Sequence, residues 1–219
     1  AFEVMWADYW HEATVTVPNI RRPITGDHNF YVLVEMQGME EALDAPRFES
    51  WLETQFEAGL IEDAAIAQSN ADLAAFWRVR DVAGEFGTVL GRHLSFDIGL
   101  PVGVMDEFAR ECRAALEAEL PGCLSVYYGH IGDGNMHIVA LMPGAKDQPG
   151  KAISQIVYRT VKAYDGTISA EHGIGLLKKP YLPLSRTPGE LALMRRLKRA
   201  LDPQDMLNPG KVFDMEDGA

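Results

Sequence analysis

Cysteine is scarce in this chain. Only Cys112 and Cys123 occur in 219 residues, and no Cys-x-x-Cys is present. A disulfide framework is therefore excluded, and both thiols read as reduced, as in a cytosolic-type protein. Positive charge is also in deficit, with a formal net charge of −12 at pH 7. Such a surface repels phosphate backbones and anionic membranes, so nucleic acid is not an expected partner. There is no apolar run of 18 residues, so no spanning helix is expected. No signal peptide, strong internal repeat, low-complexity segment or clean linker is visible. The chain begins at Ala1 with an already patterned "AFEVMWADYW", which leads us to expect part of a longer or processed protein.

The hydrophobic share of 47% is enough for one sizeable core, or for two small lobes sharing a sheet. Residues 1–13 mix apolar and acidic positions and are expected to open with a short helix. "FYVLVEMQG" (30–38) reads as a strand ended by Gly38. Phe48, Leu52 and Phe56 repeat at helical spacing over 46–59. "IEDAAIAQ" (61–68) is expected to be a second strand. Ser69 or Asn70 can cap a helix carrying Leu73, Phe76, Trp77 and Val82.

The second half is patterned more strongly. "LSFDIGLPV" (94–102) is a strand closed by Pro101. Met105, Phe108, Cys112, Ala115 and Leu116 share one face of a helix over 104–119. "CLSVYYGH" (123–130) and "NMHIVALM" (135–142) are strands joined by "IGDG". A helix over 151–164 carries Ile153, Ile156, Val157, Val161 and Tyr164, and "GTISAEHG" (166–173) is expected to be the last strand. Thr187-Pro188-Gly189-Glu190 is a capping box with proline at the first helical position, opening a helix to about Ala200. The turn-rich "LDPQDMLNPGKVF" follows. Residues 94–173 thus read βαββαβ, a ferredoxin-like unit, and the expected class is α+β with a mostly antiparallel sheet and packed helices.

Two of the six histidines, His130 and His137, flank the "IGDG" turn. By strand alternation, Val126, Tyr128 and His130 share one face, as do Asn135, His137 and Val139. In a hairpin both imidazoles can therefore point to the same side. Neutral imidazole is the commonest side-chain metal ligand, and two histidines with one carboxylate leave positions open for water or substrate. Glu171 in "SAEHGIG" is the candidate carboxylate. His172 follows it, and regular strand neighbours face opposite sides, although Gly173 and Gly175 suggest that the strand breaks there. Spacing alone leaves a structural turn with solvated histidines open. "GDGN" is not a phosphate loop: it lacks the lysine, and Asp133 would repel phosphate.

"GHIGDGNMH", "GTISAEHGIG" and "LDPQDMLNPGKV", in this order, resemble the C-terminal substrate (cap) domain of FAD-linked oxidases of the vanillyl-alcohol-oxidase-like superfamily. The resemblance is nearest to D-2-hydroxyacid dehydrogenases of the D-lactate and D-2-hydroxyglutarate type, and covers about residues 75–213. It implies an antiparallel sheet with helices and a divalent metal, usually zinc, placed against the flavin. By motif position, His130, His137 and Glu171 would be the metal ligands and His172 the base. Arg80 in "FWRVRD" would clamp the substrate carboxylate. Asn135 would contact substrate, and Asn208 in "LNPGK" would lie in a tail returning toward the flavin. Without the resemblance, Arg80 reads as a solvated helix residue and Asn208 as a turn former.

Two departures limit the carry-over. Ser95 stands where hydroxyglutarate-type sequences carry a lysine, and Val139 where they carry an asparagine. Their loss argues against a second carboxylate on the substrate and toward a monocarboxylate or bulkier apolar 2-hydroxy acid. No GxGxxG and no segment like the family's flavin-binding pattern is present. The whole of 1–219 is accordingly expected to be a cap domain, inactive alone, whose FAD is bound mainly by an N-terminal domain outside this chain. The full-length protein is expected to be cytoplasmic or peripheral to a membrane. A cap without its partner domain is expected to expose an apolar docking face, through which a homodimer could form. A metal-dependent hydrolase without flavin and a non-catalytic binding module are the rival readings.

Overall fold

The structure, a computed structural model, describes residues 1–215. It divides into two compact units, Ala1–Leu90 and the residues from Gly91 onward. The class is α+β, and the strand pairs within each unit are antiparallel.

In the first unit, β1 (Phe2–Trp6) leads into α1 (Ala7–His11), so the opening helix expected over 1–13 is preceded by a strand. β1 pairs with β2 (Phe30–Val34) in the register Phe2↔Val34 to Trp6↔Phe30. β2 supplies the β-branched and aromatic partners that make residues 2–6 a strand. Two helices follow, α2 (Glu41–Glu57) and α3 (Asn70–Asp81). Ser69 caps α3 by accepting the Asp72 N–H at 3.2 Å. The expected strand over 61–68 is not formed. Ile61 and Ile66 are an odd number of residues apart, so they would fall on opposite faces and leave none to bury. The unit closes with α4 (Phe86–Val89). Its core includes Tyr9 packed on Phe86, and Trp10 stacked on Tyr31 at 3.8 Å.

The second unit runs β3 (Leu94–Gly99), α5 (Met105–Glu119), β4 (Leu124–His130), β5 (Asn135–Leu141), α6 (Gly150–Ala163) and α7 (Pro188–Leu201). β5 lies between β4 and β3, with Tyr128↔His137 on one side and Asp97↔His137 on the other. One sheet face carries Phe96, Ile98, Met136, Ile138 and Tyr127, all buried. α5 and α6 cover it: Phe96 meets Tyr158 of α6 edge-on, and Phe108 of α5 meets Tyr164. Of the stripes read from the sequence, Met105, Phe108, Cys112 and Leu116 and then Ile153, Ile156, Val157 and Val161 are buried, while Ala115 and Tyr164 are only half-buried. Each such buried side chain contributes about 1.5–3 kcal/mol of burial. Both cysteines are free and buried.

The ferredoxin-like order holds through five elements and fails at the sixth. "GTISAEHG" makes only an isolated bridge, Gly99↔Thr167. Beyond it the Ala170 N–H still reaches the Asp97 carbonyl at 3.4 Å, but the Glu171 and His172 N–H groups turn to the Asp97 side chain of β3 and no ladder continues. The capping box of α7 is formed, with Thr187 and Glu190 bonded reciprocally. Among the described residues no helix is long and apolar enough to cross a membrane.

Candidate metal and substrate site

The sheet face of the second unit away from α5 and α6 is polar at one end. By register and alternation it carries Ser95, Asp97 and Gly99 of β3, Asn135, His137 and Val139 of β5, and Val126, Tyr128 and His130 of β4. The hairpin turn that sets this register is built on glycine. Gly134 has φ of 77°, and a Cβ there would lie 2.2 Å from the Leu100 carbonyl oxygen.

This register brings His130 and His137 together, with ring centroids 5.2 Å apart and the rings nearly perpendicular. Tyr128 flanks His137 at 5.1 Å. Glu171 arrives from the loop after Thr167, with Oε1 3.6 Å from His130 Nε2. One ligand atom from each of His130, His137 and Glu171 can be chosen so that all lie within 4.8 Å of one another. Two imidazoles and a carboxylate are a donor set that divalent zinc, manganese or iron accepts. The donor chemistry therefore fits a divalent metal. His172 lies beside the group, with its ring centroid 6.3 Å from that of His137 and its side chain 66% exposed.

Asn135 pairs across the hairpin with His130 and is 3% exposed. Its Nδ2 and Oδ1 are both buried without a hydrogen-bond partner. An unmade bond of this kind costs about 1–3 kcal/mol for each polar group. A carboxamide left in this state beside two histidines is suited to a ligand that completes it.

The loop is held by Asp97, to which the sequence reading assigned no role. Asp97 is 1% exposed. It accepts the Glu171 N–H at 3.0 Å, the His172 N–H at 2.8 Å and the Ser169 hydroxyl at 3.3 Å. Burial pushes its carboxyl up, but the His172 and Glu171 amides, with Lys178 and His172, outweigh burial and hold it below the usual carboxylate range. Burial acts on Lys178 in turn and lowers its ammonium, against the pull of Asp97. The signal for Asp97 was a lone charge amid the apolar "LSFDIGL".

The remaining predicted residues come from other segments of the chain. Arg80, in the last turn of α3, belongs to the first unit and gives Nε to Glu3 at 2.7 Å. Tyr9 fixes its backbone by donating to the Arg80 carbonyl at 2.6 Å. Asn208 takes a left-handed turn conformation, with φ of 50°, and its Oδ1 accepts from Lys211 at 3.4 Å. That tail is tied to the site loop, because the Val212 N–H donates to the Gly175 carbonyl at 2.9 Å.

Residues 1–212 match a family model described as FAD linked oxidases, C-terminal domain. Among curated proteins, the chain is 38% identical over 202 residues to a D-2-hydroxyglutarate dehydrogenase of Xanthomonas citri pv. viticola. The match covers 89% of this chain and 42% of that protein. A D-2-hydroxyglutarate dehydrogenase, mitochondrial, of Arabidopsis thaliana is 35% identical over 194 residues, covering 89% of this chain and 34% of the relative. A D-2-hydroxyglutarate dehydrogenase of Stutzerimonas stutzeri is 34% identical over 200 residues, covering 89% and 43% respectively. The chain therefore spans less than half the length of these relatives.

Proposed function

Since the chain belongs to the family of FAD-linked oxidase C-terminal domains, we propose that it is the substrate- and metal-binding part of a flavin-dependent dehydrogenase. The reaction is oxidation of a D-2-hydroxy acid to the 2-oxo acid. The observation that carries this reading is the His130, His137 and Glu171 cluster beside the unsatisfied Asn135 carboxamide.

In this reading His130, His137 and Glu171 hold a divalent metal, which we take to be zinc. Bound there, it would polarise and orient the substrate hydroxyl. FAD, held by a domain outside this chain, would supply the hydride acceptor that no side chain can be. The chain's own residues do the rest. His172 Nδ1 lies 3.7 Å from Asp97 Oδ2, which leaves Nε2 to take the hydroxyl proton. Asn135 hydrogen-bonds the substrate through its carboxamide. Arg80 binds the substrate carboxylate, with Glu3 fixing its Nε. The Asn208 tail lies toward the flavin.

The relatives' names give the substrate class, and Ser95 and Val139 narrow it. They pair in register on the face of His137 and offer neither a cation nor an amide. We therefore assign a D-lactate-like or bulkier apolar 2-hydroxy acid over one with a second carboxylate. α7 leaves Leu193, Leu197 and Leu201 exposed at four-residue steps, which supports an apolar docking face for the flavin domain or a second copy. The relatives point to different compartments, some being named mitochondrial and others coming from bacteria, so we assign none.

Metal content by elemental mass spectrometry tests the reading first. We expect close to one divalent metal per wild-type chain, and none in His130→Ala or Glu171→Ala. Wild-type protein without metal would sink the metal assignment. Joined to its flavin domain, the protein should reduce FAD with D-2-hydroxy acids, while the chain alone turns over nothing. Equal rates with dicarboxylic and monocarboxylic substrates would remove the substrate preference.

A further inference from the structure

Glu171 and His172 are sequence neighbours, yet both lie beside the same histidine pair. A regular strand would send them to opposite faces. The segment is not a strand, so another force must set its path. The backbone N–H groups of these two residues share one acceptor, the Asp97 carboxylate. Asp97 sits in regular β3, in register with His137, so its own place is fixed by the same ladder that places the histidines.

The carboxylate is held from its other sides as well. Lys178 Nζ lies 3.5 Å from Oδ2 and donates to the Ser169 hydroxyl at 2.9 Å. The single Ser169 hydroxyl proton is shared between Asp97 Oδ2 at 3.3 Å and the Gly173 carbonyl at 3.0 Å. The loop is thus closed on both sides of Glu171 and His172. A carboxylate offers acceptors on both oxygens and no donor, whereas an asparagine here would set an NH2 against a backbone N–H or a lysine ammonium.

We propose that Asp97 is the positioning residue of the cluster: its buried carboxylate clamps the consecutive amides of Glu171 and His172 and so aims a metal-binding carboxylate and a proton-accepting imidazole at one point. This rests on the metal reading of His130, His137 and Glu171. Asp97 itself touches neither metal nor substrate. Its loss should cost what the loss of a residue supporting metal ligands costs, about 10–100-fold in metal affinity.

The test is a titration of the chain with cobalt(II) alone, read by its visible absorption, with a urea midpoint measured for every variant. Wild type, Asp97→Asn, Asp97→Ala and Glu171→Gln are compared. We expect Asp97→Asn to stay folded, bind cobalt about 10–100-fold more weakly and show an altered cobalt spectrum. A folded Asp97→Asn with wild-type affinity and spectrum would overturn the proposal. Cobalt binding absent from wild type, or unchanged in Glu171→Gln, would instead overturn the metal reading beneath it. Should neither Asp97 variant fold, Ser169→Ala decides, since it removes one donor to Asp97 outside the core. Weaker binding in Ser169→Ala supports the clamp, and unchanged binding rejects it.

Discussion

The site is made of two pieces that are held in different ways. The β4–β5 hairpin places His130, His137 and Asn135 through a backbone ladder and a glycine turn. The loop 169–178 places Glu171 and His172 through one buried side chain. In the hairpin, position follows from period-two alternation and is insensitive to any single polar contact. In the loop, position depends on charge-assisted hydrogen bonds that one substitution can remove. The first arrangement gives rigidity. The second lets adjacent residues serve one site, which a strand cannot do.

Gly134→Ala should break the hairpin half and give the largest effect. Its φ of 77° is one that alanine resists, and the added Cβ would press on a backbone oxygen 2.2 Å away. Left-handed strain alone costs on the order of 1–3 kcal/mol, and the contact adds to it. Stability and metal affinity should fall together, in contrast to the Asp97→Asn variant, where affinity should fall without a matching loss of stability. Urea midpoints beside cobalt titrations check this. Equal loss of stability in the two variants would erase the distinction between the halves.

The same division decided what could be read from the sequence. Strand alternation put His130, His137 and Asn135 on one face, and helical spacing gave the buried stripes of α5 and α6. The N-cap Ser69 and the capping box at Thr187 were legible because capping chemistry is local. What failed was non-local. "GTISAEHG" has strand composition, but its amides are claimed by Asp97, 74 and 75 positions away in sequence. "IEDAAIAQ" has strand residues but no consistent face, and residues 2–6 become a strand because β2 pairs with them. The family resemblance supplied the roles of Glu171 and His172, which spacing alone left open. It did not supply the clamp.

A smaller effect is expected in α7, outside both halves. Thr187→Ala removes the hydroxyl that accepts the Glu190 N–H at 3.2 Å. It should cost about 1 kcal/mol of stability, within the usual range for such a cap. Cobalt affinity should stay at the wild-type value. A parallel loss of affinity would show that the loop half leans on α7, and the site would then have three supports.

The smallest effect is one that disappears in acid, and it concerns the tail tied to the loop at Gly175. Asp202 caps the end of α7, where it pairs with Lys198 and accepts the N–H groups of Leu207 at 2.8 Å and Met206 at 3.0 Å. The Lys198 hydrogen bond and then these two amides pull its carboxyl down to about 2, from an ordinary value of 3.8. A carboxyl depressed on folding stabilises the folded chain above its unfolded pKa and loses that contribution as pH falls through the folded one. The Asp202 contribution should therefore be whole above pH 3.8 and fade as pH approaches about 2. Asp202→Asn lacks it throughout. The gap between wild-type and variant urea midpoints should be widest near neutrality and close across that window. A gap that stays constant down to pH 2 would mean that the tail is held by its backbone turns and not by the Asp202 charge.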